Sequence, residues 1–97
     1  MEIVLQTESK NLQKLKEVLL KDDVVSRASI VFKEGKSLIN KEGYFCYISG
    51  TEEQCKRALE MSKDIAKEAE KKDRNEAIQK IKEEQDKAAE GFGGIFG

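Results

Sequence analysis

The sequence predicts an α+β fold: a small two-layer sandwich of order βαββα, with a three- or four-stranded sheet and helices on one face. Short apolar or alternating runs at residues 2–7, 28–32 and 44–49 are typical of strands. Apolar residues at three- and four-residue spacing after Ser9 and after Thr51 are typical of amphipathic helices. With 97 residues, the chain has room for one such domain.

The first two predicted elements are a strand at residues 2–7 and a helix that follows Ser9. Residues 3–5 are consecutive apolar residues, which indicates a strand covered on both faces or lying at the sheet centre. Ser9 can cap the following helix, and Asp22 and Asp23 favour a turn at its end. One apolar stripe runs along this helix: Leu12, Leu15, Val18 and Leu19.

The middle of the chain is predicted to be an antiparallel meander. Residues 27–32 follow the two-residue period of a strand. Turn signals follow at 33–36 and 40–43, and residues 37–39 between them are a short strand or the far side of an irregular hairpin. The last strand covers residues 44–49, which are apolar or aromatic up to Ile48.

The main helix begins at Thr51 with a capping box that includes Gln54. Its small apolar face is predicted to pack on the sheet as far as about Ala69. A helix continuing to Glu90 would have 40 residues and be about 60 Å long, which is longer than a domain of this size is wide. The chain therefore either breaks near residues 72–75 and folds back, or its second half projects into solvent.

These elements divide the chain into a core domain at 1–70, a charged helical extension at 71–90 and a flexible Gly/Phe tail at 91–97. Gly91 is predicted to end the last helix. The predicted core contains the following residues: Ile3, Leu5, Leu12, Leu15, Leu19, Ile30, Phe32, Phe45 or Cys46, Ile48, Leu59, Ile65 and Ala66.

The composition limits partners and location. The chain has 18 basic and 19 acidic residues, so binding of a polyanion would need a local basic patch. The first residues lack the basic and apolar regions of a leader, and no apolar run approaches the roughly 20 residues of a membrane span. Cys46 and Cys55 form neither a CxxC motif nor a disulfide framework. We therefore expect a cytoplasmic protein without membrane association.

The residue types argue against catalysis. The chain has no histidine, so the commonest general base near neutral pH is missing. Two cysteines alone do not make a zinc site, and Cys46 and Cys55 are interpreted as small buried hydrophobic residues. The turns at 33–36 and 40–43 lack the clustered glycines of a phosphate loop. The sequence predicts a protein that is not an enzyme and that holds no cofactor and no metal.

Residues 44–59, YFCYISGTEEQCKRAL, resemble the closing strand, Gly-Thr pair and helix of a KH domain. The predicted order of elements is also similar to that of a KH domain with one helix missing. This family clamps four nucleotides with a GXXG loop between its two central helices, and no GXXG stands between Ser9 and Asp23. The resemblance therefore implies a KH-like sheet-and-helix architecture without the family's clamping residues.

Nucleic-acid binding through the sheet and the basic turns is one of two predicted functions. Lys33, Lys36 and Lys41 lie in the turns, with Tyr44 and Tyr47 nearby, and these five residues are the best local patch for it. The other interpretation of the same residues is solvated turn lysines beside a half-buried aromatic strand.

The preferred prediction is a non-enzymatic module that binds a protein partner through its C-terminal helix and tail. Phe92, Ile95 and Phe96 lie among glycines and are interpreted as a short linear anchor that docks in a partner's groove. A frayed terminus and a tail folded over its own domain are the alternatives. The extension has too few apolar positions for strong dimerisation, so we expect a monomer or a weak homodimer.

Overall fold

The computed structural model describes the backbone of residues 1–96 and the side chains of residues 1–86. Two short 3₁₀ turns, Ser9–Asn11 and Val25–Arg27, lie on either side of the first helix. The helices and strands are, in chain order, β1 (Glu2–Thr7), α1 (Leu12–Lys21), β2 (Ser29–Glu34), α2 (Gly35–Ile39), β3 (Tyr44–Ser49), α3 (Glu52–Ser62), β4 (Lys67–Glu68) and α4 (Lys71–Phe96).

The four strands form one antiparallel sheet in the order β2-β3-β1-β4. β3 is central and pairs on both sides: Ser49 lies opposite Glu2 of β1 and opposite Ser29 of β2. A strand inside a sheet that is covered on both faces needs apolar residues at successive positions. The residues of β3 from Phe45 to Ile48 meet this need and are all buried. The predicted α+β class is confirmed, and of the predicted three or four strands the sheet has four.

The helices cover both faces of the sheet, and this corrects the expectation of a two-layer sandwich with helices on one face. Successive residues of a strand point to opposite faces, so the apolar run at 3–5 requires a cover on each side. The first face packs against α1 and α3 through Ile3, Leu5, Leu15, Leu19, Val25, Cys46, Ile48, Cys55 and Ala58. The second face packs against α2 and α4 through Val4, Leu38, Phe45, Tyr47, Ala69, Ala77 and Ile81.

The predicted core residues lie mostly where the sequence placed them. Phe45 and Cys46 were predicted as alternatives, and both are buried because both faces are covered. Ile3, Leu5, Leu15, Leu19 and Ile48 are buried, and Leu12, Ile30, Phe32, Leu59, Ile65 and Ala66 are half-buried. The structure adds Ala77 and Ile81, which lie beyond the predicted core boundary at residue 70.

The capping box at the start of α3 is confirmed. The backbone amide of Gln54 donates to the Thr51 hydroxyl over 3.1 Å, and the backbone amide of Thr51 donates to the Gln54 side-chain oxygen over 2.9 Å. The helix ends at Ser62, not near Ala69 as expected. The chain then turns, and Ala69 donates from its amide to the Val4 carbonyl over 2.9 Å.

The chain therefore folds back, which was one of two predicted alternatives, but the break lies at residues 63–70 and not at 72–75. A tertiary contact explains why the helix breaks here: the two residues of β4 pair with Leu5 and Gln6 of β1. This pairing supplies partners for backbone groups of β1 that a continuous helix would leave without any. Helix propensity is a weak preference and yields to such contacts.

The segment between β2 and β3 is a short helix, not a strand. α2 spans Gly35–Ile39 and buries Leu38. It ends at Asn40, whose φ of 56° is left-handed, and Gly43 follows with φ of 80°. A Cβ at Gly43 would lie 2.5 Å from the Thr7 carbonyl oxygen. The close approach of β1 and the positive φ therefore both favour glycine at this position.

α4 is the longest element, and it passes through Gly91, where the sequence predicted a helix end. The helix also includes Gly93 and Gly94, and each glycine inside a helix costs about 1 kcal/mol relative to alanine; the preceding residues are good helix formers. A helix of 26 residues is about 39 Å long, which exceeds the two shorter dimensions of the molecule, 30 and 23 Å. The side chains of Phe92, Ile95 and Phe96 lie outside the described residues.

Candidate functional site

The two cysteines are packed into the core below the first helix layer. Cys46 and Cys55 are both free and buried. Burial raises the pKa of the Cys46 thiol to about 12, and burial also raises the pKa of Cys55. Because the thiolate is the nucleophilic form, neither residue is arranged for attack on a substrate.

The acidic residues of the described chain do not converge on one point. No group of three or more histidine, cysteine, aspartate or glutamate side chains that could hold a metal ion occurs within residues 1–86. The most perturbed carboxyl belongs to Asp22. The Arg57 guanidinium, over 2.8 and 2.9 Å, lowers the pKa of Asp22 to about 2. This pair joins the end of α1 to α3.

The three lysines of the predicted basic patch each lie beside a carboxylate. Lys33 Nζ is 2.7 Å from Glu84, Lys36 Nζ is 3.7 Å from Glu42, and Lys41 Nζ is 3.9 Å from Asp73. The local positive charge that a phosphate backbone would need is therefore partly neutralised.

The two tyrosines of the same patch differ in exposure. Tyr47 is 4% exposed and belongs to the cluster under α4, so its ring is not accessible for stacking on a base. Tyr44 is half-buried at the start of β3. Because Phe45 and Tyr47 face α4 whereas Cys46 faces α1 and α3, Tyr44 points to the face of the sheet opposite Tyr47. The structure therefore does not bring the five predicted residues together on one surface.

The first half of α4 is attached to the sheet by packing and by polar contacts. Ala77 and Ile81 are buried against the second face. The Arg74 guanidinium donates to the Glu2 carbonyl oxygen over 2.9 Å. Lys82 Nζ lies 3.1 Å from the Glu2 carboxylate, and its hydrogen bond lowers the pKa of Glu2.

Within the described residues, the apolar packing of α4 on the sheet ends at Ile81, and beyond it Glu84 still contacts Lys33 of β2 through an ion pair. Every residue from 82 to 86 is exposed. The helix continues to Phe96, so ten further residues follow the last described side chain. The predicted partner-binding residues Phe92, Ile95 and Phe96 belong to this continuation, and the sequence signal for them is unchanged: three large apolar residues separated by glycines.

A shallow cleft of about 660 Å³ lies between the start of α1 and the turn after α3. Its residues include Thr7, Asn11, Lys63 and Asp64. The Thr7 hydroxyl already donates to the Ile65 carbonyl over 2.7 Å.

The two edges of the sheet are a feature that the sequence did not distinguish. One edge ends in the short β4, and the other is the full six-residue strand β2. The alternation at 27–32 predicted a strand here, but strand order depends on contacts between distant residues, so its edge position was not predictable from local pattern.

No protein-family model, no curated protein and no solved structure matches this chain. The class that the fold defines is therefore the architectural one, an α+β domain with a four-stranded antiparallel sheet. The resemblance of residues 44–59 to a KH domain stays a prediction. Within the described residues, no helix has the length and apolar character needed to cross a membrane.

Proposed function

We propose that this chain is a non-enzymatic protein-interaction module, in which the sheet holds α4 and the C-terminal part of α4 binds a protein partner. The observation that carries the proposal is the division of α4. Its first half is fixed by Ala77 and Ile81 in the core, residues 82–86 are exposed, and the helix continues to Phe96.

The sequence spacing along α4 supports this function. Positions 77, 81, 88, 92 and 95 are apolar and are separated by four, seven, four and three residues. In a helix, such positions follow one stripe. The stripe that packs on the sheet therefore continues beyond the attached part of the helix. Partner proteins recognise an amphipathic helix through anchors at this spacing, which dock in an apolar groove.

The state of the reactive groups supports a non-enzymatic role. The thiols of Cys46 and Cys55 are buried, and the chain contains no histidine. Asp22, whose pKa lies well below its usual range, is bound by Arg57 in a contact between two helices. Such a pair stabilises packing and does not leave a carboxylate available to a substrate.

The alternative function, nucleic-acid binding through Lys33, Lys36, Lys41, Tyr44 and Tyr47, draws less support. Each lysine lies within 4 Å of a carboxylate, and Tyr47 is buried. We therefore expect no binding of single-stranded RNA by the purified chain at low salt. Binding that weakens with added salt, and after replacement of the three lysines by glutamate, would favour this alternative.

The test of the proposal is capture of a partner from native extract by the tagged full-length chain and by one triple variant. Phe92→Ser, Ile95→Ser and Phe96→Ser remove the apolar anchor, and we expect capture to be lost while the melting temperature stays unchanged. The captured protein is then identified, and its binding is measured again with purified components.

A matched control also carries three substitutions to serine but places them on the exposed side of α4. Gln79→Ser, Glu83→Ser and Asp86→Ser alter residues that the structure shows exposed, and this variant should capture the partner normally. Equal capture by both variants would refute the proposal. A large drop in the melting temperature of the anchor variant would also refute it, because the anchor would then belong to the protein's own fold.

A further inference from the structure

The β4 edge of the sheet is closed by the chain itself. The Val4 carbonyl accepts from the Ala69 amide over 2.9 Å, and the Glu2 carbonyl accepts from the Arg74 side chain over 2.9 Å. β4 itself has only two residues, Lys67 and Glu68. Short edge strands and covered backbone groups are the means by which proteins prevent pairing between sheets.

The β2 edge has no such closure. The Gly35 amide donates to the Gly43 carbonyl over 2.8 Å, which makes Gly35 and Gly43 a hydrogen-bonded pair at the end of the β2–β3 ladder. Hydrogen-bonded and non-hydrogen-bonded pairs alternate along an antiparallel ladder. Ile30 and Phe32 therefore belong to non-hydrogen-bonded pairs, and they turn their backbone N–H and C=O groups away from β3. No backbone partner for these groups occurs in the part of the chain that the structure describes.

β2 also lacks the usual devices that discourage strand pairing. Its register with β3 is continuous from Ser29 to Glu34, without a bulge, and the chain contains no proline. An edge lysine normally opposes pairing, but Lys33 is held by Glu84 over 2.7 Å. The centre of the strand is the apolar sequence Ile-Val-Phe, whose residues are only half-buried.

We infer that β2 is a homodimer interface, at which two copies of the chain pair their β2 strands antiparallel into one eight-stranded sheet. A two-fold axis perpendicular to the sheet keeps equivalent residues on the same face, so a residue can lie opposite itself. With Val31 on the axis, Ile30 of each copy lies opposite Phe32 of the other. The free N–H and C=O groups of Ile30 and Phe32 then satisfy one another in four hydrogen bonds.

The ends of β2 favour a second copy as the occupant of this edge. Arg27 precedes the strand and Glu34 ends it, and both are exposed. Neither of them forms an ion pair within the described residues. The same antiparallel register brings Glu34 of one copy opposite Ala28 of the other, next to Arg27. The interface is therefore complementary to itself in charge as well as in backbone hydrogen bonding.

The dimer should be weak and reversible. A contact between two six-residue strands is small compared with the roughly 1,200 to 2,000 Å² of a stable protein interface. We expect a monomer at low concentration and a dimer population that rises with concentration. This interface does not involve residues 91–97, so it goes beyond the proposed function and its failure would leave that function untouched.

The test is disulfide cross-linking of single-cysteine additions in the full-length chain. In the inferred register Val31 forms a non-hydrogen-bonded pair with itself, with Cα atoms about 4.5 Å apart, which is within the range of a disulfide. Val31→Cys should give a covalent dimer under mild oxidation. Ser29→Cys lies on the same strand and face, but its two copies would be about 13 Å apart, so it should not cross-link.

Sedimentation equilibrium of the unaltered chain accompanies the cross-linking, and Cys46 and Cys55 are buried and do not interfere. A concentration-dependent dimer, with at least tenfold more cross-linking of Val31→Cys than of Ser29→Cys, is the expected result. A chain that remains monomeric at millimolar concentration would overturn the inference. A dimer that forms while Val31→Cys fails to cross-link, or cross-links no better than Ser29→Cys, would overturn it too.

Discussion

At the scale of single residues, Asp22 links three segments of the fold. Its carboxylate accepts from the amides of Val24 and Val25 over 3.1 and 2.9 Å, and it binds the Arg57 guanidinium with both oxygens. The carboxylate therefore caps the 3₁₀ turn after α1 and also ties this turn to α3. Arg57 and the Val25 amide are the main causes of the lowered pKa.

The contact of Asp22 should make stability depend on pH in a defined window. The pKa of Asp22 is about 2 in the folded chain and near 3.9 in an unfolded chain, so between these values the unfolded state binds more protons. The stabilisation is complete above about pH 4 and is lost as the pH falls towards 2. Asp22→Asn should therefore lower the melting temperature at pH 7, and the difference from the unaltered chain should shrink between pH 4 and pH 2.

Melting curves between pH 2 and pH 7 measure this effect, with Asp64→Asn as the control. Asp64 is exposed in the turn after α3 and takes part in no ion pair within the described residues. If the difference between Asp22→Asn and the unaltered chain were independent of pH, the Arg57 contact would not have the role that its geometry indicates.

At the scale of elements, α4 is part of the fold and not only an extension of it. Ile81 is 1% exposed in the second cluster. Ile81→Ala should lower the free energy of unfolding by about 2 to 5 kcal/mol, because it removes buried methyl groups and leaves a cavity. Lys80→Ala, at the exposed neighbouring position, should change it by less than about 0.5 kcal/mol.

Urea unfolding of the two variants decides the point. An Ile81→Ala variant as stable as Lys80→Ala would mean that α4 does not pack on the sheet in solution. The proposed function would then lose its basis, since the helix would have no fixed attachment to the sheet.

The elements also show what a single sequence can and cannot predict. The α3 capping box was predictable because Thr51 and Gln54 lie three residues apart and recognise each other locally. The end of α3 at Ser62 was not, because it depends on β4 pairing with β1 at the other end of the chain. Ser62 and the residues after it are compatible with a helix by propensity, and only the tertiary pairing decides against it.

The candidate sites follow the same rule. Burial of Cys46 and Cys55 was predictable from residue type and from their places in a strand and on a helix face. The neutralisation of Lys33 by Glu84 was not, because it depends on where α4 crosses the sheet. The open β2 edge was hidden for the same reason: an alternating pattern identifies a strand but does not give its position in the sheet.

At the scale of the whole molecule, we propose two interaction surfaces, which lie on different elements. One is the continuation of α4 after residue 86, and the other is the outer edge of β2. They differ in chemistry, since the first presents apolar residues at helical spacing and the second presents backbone groups. A chain truncated after Glu90 should therefore still cross-link through Val31→Cys if both interpretations hold.

The central claim is that α4 binds the partner through its C-terminal part while the sheet acts as its support. Hydrogen exchange of the full-length chain, with and without the partner identified by capture, tests it most directly. The account predicts that bound partner slows exchange of amides after residue 86 and leaves those of β1 and β3 unchanged. Slowed exchange confined to β2 and the turns at 33–43, with none after residue 86, would contradict it.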